Sequence, residues 1–141
     1  DDNFCTAFVP GCFLRGELAS VESRIEFLRL VVSTDLERSI RFSKHVVEHF
    51  KKELDVPPSP ETFPGSRLVG FRSGGVYARN LRMTRLVRGP LCLGEPLQQN
   101  NLDEARRLAE IGKGRMPERV RETARAYHRA IRDYAAGYPR R

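Results

Sequence analysis

Two of the three histidines in this chain stand four residues apart, in His45-Val46-Val47-Glu48-His49. On a helix, residues i and i+4 share a face, so both imidazoles can reach one Zn²⁺ while a glutamate activates the metal-bound water. The downstream acids Glu95, Asp103, Glu104 and Glu110 are nominal third ligands. His128 completes the histidines, so general acid–base chemistry has few candidates. No G-x-S-x-G elbow occurs, and no cysteine adjoins a recognisable base. Phe71-Arg72-Ser73-Gly74-Gly75 is glycine-rich but lacks both the G-x-x-x-x-G-K-[ST] phosphate loop and the dinucleotide fingerprint, and it reads as a hairpin turn.

The pentapeptide resembles the zinc-binding H-x-x-E-H of inverzincin metallopeptidases. The resemblance covers five residues. It implies a third ligand on a distant helix and a large clamshell around the substrate, which 141 residues cannot build. The expectation is that His45 and His49 are solvated beside Lys44, Lys51 and Lys52, with no metal, no cofactor and no catalytic residue.

Charge says more. The chain carries 25 Lys+Arg against 18 Asp+Glu, a formal net charge of +7, and 21 of the basic residues are arginine. Arginine's planar fork suits phosphate and carboxylate; codon usage in a GC-rich genome is the other source of such a bias. No acid lies between Glu61 and Glu95, while Arg67, Arg72, Arg79, Arg82, Arg85 and Arg88 do, with Phe71 and Tyr77 among them. Six uncompensated guanidinium groups imply an acidic partner, with a solvated sheet face as the alternative. Neutralising six phosphates would give a salt slope of about −5 on duplex nucleic acid. Arg121, Arg125, Arg129 and Arg132 extend the basic surface along the last helix, where Glu118, Glu122 and Asp133 can pair with them. No zinc finger, RRM signature or basic zipper is present.

The elements that must position these groups read as a helix-dominated α+β chain organised as one domain. Residues 1–16 form an apolar extended arm with Phe4, Phe8 and Phe13, packed on its own core or on a neighbouring chain. Leu18, Val21, Ile25, Leu28 and Val32 make one helical face, and Leu36, Ile40, Ser43, Val47, Phe50 and Leu54 a second. A single long helix or a kinked pair near Thr34, with a Thr34–Glu37 capping box, accounts for residues 17–56. Residues 57–66 hold four prolines and read as a semi-rigid linker. An antiparallel hairpin follows within 67–99: a strand over 67–72, a turn, and a return strand from Val76. Residues 78–87 are open between strand and helix and lean to strand, and 91–99 read as loop. Two helices close the chain within 100–141. Asn101 caps the first and Gly112 ends it. The second starts with Pro117 in its first turn and carries the stripe Val120, Ala124, Tyr127, Ile131, Tyr134, Tyr138.

No apolar run approaches the roughly 20 residues of a transmembrane helix. Three cysteines (Cys5, Cys12, Cys92) are too sparse for a disulfide scaffold and suit a reducing, intracellular compartment, a Cys5–Cys12 bridge being the alternative. The start at Asp1 fits a processed mitochondrial import or an excised domain. The functional expectation is a non-catalytic structural subunit of a large assembly, a ribosome-like particle or an energy-converting membrane complex. It would dock on other protein subunits or RNA through its arginines and its N-terminal arm. The alternative is a free-standing nucleic-acid-binding protein using residues 67–88 and the last helix.

Overall fold

The computed structural model describes residues 3–60, 63–70, 74–85, 87–110 and 116–137. The fold is α+β and mostly helical. Strand β1 (Thr6–Pro10) is followed by a 3₁₀ turn (Arg15–Ala19) and two helices, α1 (Val21–Val32) and α2 (Asp35–Leu54). Then come β2 (Ser66–Leu68), β3 (Val76–Arg79), the short α3 (Arg82–Arg85), β4 (Leu93–Glu95), α4 (Leu102–Ala109) and α5 (Glu118–Ala136). Among the described residues the strands form one mixed sheet in the order β2-β3-β1-β4.

The N-terminal arm is an interior strand. β1 runs parallel to β3, with Phe8 beside Tyr77, and antiparallel to β4, with Phe8 beside Leu93. All five of its residues are buried. One face of the sheet carries Ala7, Val9, Val76 and Ala78 into a core with Val46, Val47, Phe50 and Leu54 of α2 and Ala126 and Ala130 of α5. On the other face Phe8, Tyr77, Phe4 and Phe63 stack edge to face or tilted, at 5.2–6.4 Å between centroids. A strand buried on both faces has no polar alternation, which is why these residues read as an arm. The Thr6–Pro10 part of the expected arm therefore packs on the chain's own core.

The proline segment expected as a semi-rigid linker is tied to the sheet by backbone hydrogen bonds. Cys5 N–H donates to Pro57 O at 2.8 Å, Ser59 N–H to Cys5 O at 2.9 Å, and Gly75 N–H to Ser59 O at 3.0 Å. Ser59 O accepts a further bond from the Tyr77 hydroxyl at 2.9 Å. Gly74 explains the glycine pair: at φ +95°, a Cβ there would sit 2.0 Å from Ser59 O. The glycines permit a close approach of two backbones.

β2 and β3 form the expected antiparallel ladder, Arg67 opposite Ala78, but β2 spans Ser66–Leu68 where a strand over 67–72 is expected; residues 71–73 lie outside the described residues. The strand expected over 78–87 ends at Arg79. Thr84 then folds back, donating its hydroxyl to Leu81 O at 2.7 Å, and α3 replaces the strand. The loop expected over 91–99 contains β4.

The helix pair breaks where expected, at Ser33-Thr34, though the cap differs. Thr34 makes no side-chain cap bond, and Ser33 Oγ instead accepts from Asp35 N–H at 3.3 Å. α2 stops at Asp55 in the left-handed region (φ 55°), ahead of Pro57-Pro58. Asn101 caps α4 as expected, accepting from Glu104 N–H at 3.1 Å. Pro117 is the N-cap of α5, one position before the expected one, and Gly112 lies outside the described residues. The apolar stripe assigned to α5 is not its buried face. Arg119, Ala126 and Ala130 are buried, Tyr127 and Tyr134 flank them, and Ala124 and Ile131 face water. Tyr138 lies outside the described residues.

Candidate interaction surfaces

The histidine pentapeptide lies in α2 and works between helices. His49 Nε2 lies 2.9 Å from Asp133 Oδ2 of α5, and its Nδ1 faces Glu53 at 3.8 Å. His45 turns its edge to the Tyr134 ring, 6.2 Å between centroids, while Glu48 points to solvent. His49 is thus half-buried in a helix–helix contact rather than solvated. Among the described residues no three His, Cys, Asp or Glu side chains converge on a point that could hold a metal. All three cysteines are free thiols; burial pushes Cys5 up to about 12 and Cys92 up to about 11, so neither is a ready nucleophile.

The arginines divide into two populations. Those of α5 are matched within the chain. Arg121 and Arg125 both bind Glu118, at 2.6 and 2.8 Å, Arg129 binds Glu53 across to α2, and Arg132 binds Asp133 at 3.0 Å. In the hairpin region Arg88 reaches Glu26 of α1 at 3.3 Å. Arg79 lies over the Phe8 ring, 5.8 Å from its centroid. Arg67, Arg79 and Arg82 form no ion pair among the described residues, and Arg72 lies outside them; Arg85 sits in α3. Strand alternation sends Arg67, opposite core-facing Ala78, and Arg79, beside Phe8, to opposite faces of the sheet. Of the arginines expected to form a binding surface, Arg67 and Arg79 therefore do not share one face of the sheet.

These pairs have a pH signature. Hydrogen bonds from Arg29, Arg129 and Arg125 hold Glu26, Glu53 and Glu118 below the usual 4.5, and those from His49 and Arg132 hold Asp133 below 3.8. A carboxylate with a lowered folded pKa adds stability above its unfolded pKa and loses it as pH falls through the folded value. Tm is expected to stay level from pH 7 to about 5 and to fall steadily below about 4.5. A Tm that holds or rises between pH 4.5 and 3 in thermal melts would contradict these pairings.

α1 supplies a surface that sequence spacing located. Val21, Ile25, Leu28 and Val32 are 56%, 58%, 59% and 82% exposed. The helix is anchored by its opposite side. Ser23 and Leu30 are buried, Phe27 meets Phe13 edge to face at 5.6 Å, and Arg29 reaches Asp35 at 2.9 Å. Ser20 caps its start by accepting from Ser23 N–H at 3.1 Å. This face points away from the core, and nothing among the described residues covers it. Comparison with protein-family models, curated proteins and solved structures returns no match. No described helix is long and apolar enough to cross a membrane.

Proposed function

We propose that the chain is a non-catalytic structural subunit of a multi-subunit protein assembly, seated through α1. The observation that carries this reading is the uncovered stripe of Val21, Ile25, Leu28 and Val32. Removing each of these half-exposed side chains from water is worth roughly 1 kcal/mol, which a partner surface would supply. Contiguous apolar patches of this kind mark interaction sites. A non-catalytic role is supported by the use of His49 in the α2–α5 contact. Arg67 and Arg82, solvent-facing and without an ion pair among the described residues, provide a subsidiary contact to an acidic neighbour.

A second reading, nucleic-acid binding, rests on Arg67, Arg79 and Arg82. Three phosphate contacts give a salt slope of about −3, not the value of about −5 expected for six. The discriminating experiment isolates tagged full-length chain from its native cells and measures the size of the particle that carries it. The wild type is expected in a particle well above its own 16.1 kDa. Leu28→Glu should release it from that particle, while Arg67→Gln with Arg82→Gln should leave most of it bound. Retention of Leu28→Glu combined with nuclease-sensitive release of the wild type would favour nucleic acid and overturn the first reading.

A further inference from the structure

We propose that the occupant of the α1 face is α1 of a second copy of this chain, running antiparallel. This rests on reading α1 as a docking surface and names what docks there. Val21, Ile25, Leu28 and Val32 are spaced 4-3-4, the seam of a two-helix coiled-coil contact. Glu22 and Arg29 flank the seam on one side, Arg24 and Val31 on the other.

Charge selects the direction. In an antiparallel pair with Ile25 facing the second copy's Leu28 and Val21 facing its Val32, Glu22 of each copy meets Arg29 of the other. The two-fold axis makes this favourable contact twice. In a parallel pair Arg24 of each copy meets Arg29 of the other, a like-charge contact made twice. Arg29 is already oriented by Glu26 at 2.7 Å and Asp35 at 2.9 Å. The antiparallel arrangement also closes on itself, so it gives a dimer and no open chain of subunits.

The area is sufficient for a reversible dimer. Val21, Ile25, Leu28, Val31 and Val32 are each more than half exposed. At about 100 Å² apiece they offer about 500 Å² per copy, or about 1,000 Å² in total, at the low end, in the range of weak specific interfaces. The dimer is accordingly expected to dissociate in about the micromolar range, because an interface at this end of the scale is a weak one.

Sedimentation of the purified full chain from about 1 to about 100 µM tests the proposal across that range. The wild type should pass from 16.1 kDa toward twice that mass. Leu28→Glu should weaken association at least about tenfold with an unchanged circular dichroism spectrum, and Met83→Glu, in α3, should associate as the wild type does. Val21→Cys with Val32→Cys should oxidise to a covalent dimer. Val21→Cys alone should not exceed the wild-type background, because in the antiparallel register its two copies lie about 17 Å apart. This crosslink stands independently if Leu28→Glu folds poorly. A wild type that stays monomeric to about 100 µM overturns the second copy as occupant. Efficient crosslinking through Val21→Cys alone overturns the antiparallel direction. If the wild type is monomeric but Leu28→Glu still leaves the native particle, the subunit reading survives without this inference; if Leu28→Glu stays in the particle, both fail.

Discussion

Arg119→Met is expected to lower the unfolding free energy by about 3–5 kcal/mol, enough to move Tm down by about 10 °C or more. Arg119 is 3% exposed and its partner Glu104 4%. Arg119 Nε donates to Glu104 Oε2 at 2.7 Å, Nη2 binds Glu104 Oε1, and Nη1 donates to Glu122 at 2.9 Å. Nη2 also donates to Leu54 O at 3.1 Å, the last residue of α2. Asn3 completes the site, donating to Glu104 Oε1 at 2.9 Å. One guanidinium thus joins α5, α4, the end of α2 and the N-terminal segment. Burial works against its charge; the bonds it donates to the Glu104 and Glu122 carboxylates outweigh burial, and its pKa lies above the ordinary value. Removing it leaves the buried Glu104 carboxylate with only the Asn3 amide and the half-exposed Arg107 at 3.6 Å, and the loss of its buried, bidentate partner is what makes the cost large. Glu104→Leu with Arg119→Met should recover most of the stability, because two packed apolar side chains need no solvation. Urea unfolding of both variants decides the matter: a single variant within about 1 kcal/mol of wild type, or a double variant no better than the single, would remove the network from the account.

That network explains why the sequence misplaced the inner face of α5. Periodicity finds a stripe of large apolar residues, and on α5 the stripe runs through Val120, Tyr127 and Ile131. The face that packs on α2 is instead made of Ala126 and Ala130, which admit a close approach, and of Arg119, which enters the interior already paired. Small residues score weakly as hydrophobic, and arginine scores as surface. Neither signal could locate this contact without knowing that Glu104, on a different helix, would meet Arg119.

Elsewhere the chain was more readable. The α2 stripe of Ser43, Val47, Phe50 and Leu54 is its buried face, because this helix meets core along most of its length. Asn101 as a cap and the pairing of β2 with β3 depend on short-range chemistry, which a local reading captures. β1 and β4 escaped because one is buried on both sides and the other is three residues long. The pairing of the α5 arginines with Glu118 was open to a local reading, because acid and base share one helix, and Arg125 lies 2.8 Å from Glu118. The Arg129–Glu53 pair, which crosses to α2, was not.

Phe50→Ala should cost about 3–5 kcal/mol, whereas Leu28→Ala, at concentrations where the chain is monomeric, should change stability by less than about 0.5 kcal/mol. Both residues stand on regular apolar stripes of neighbouring helices, so the sequence treats them alike. The structure separates them. Phe50 is fully buried where α2, α5 and β4 meet, its ring perpendicular to Tyr127 at 4.9 Å between centroids. The Tyr127 hydroxyl, pushed up to about 12 by burial, donates to Gly94 O at 2.9 Å. Gly94 itself has no room for a side chain, since a Cβ would lie 2.5 Å from that hydroxyl and 3.1 Å from Phe50 Cζ. Truncating Phe50 therefore opens a cavity against a strand and two helices that cannot all collapse into it, and the cost of such a cavity adds to the lost transfer energy. Leu28 is 59% exposed and gives up little when shortened. Chemical unfolding of the two variants in dilute solution measures the contrast. Equal losses at the two positions would mean that α1 lies on the core after all, and the outward face on which the subunit and dimer proposals stand would not exist.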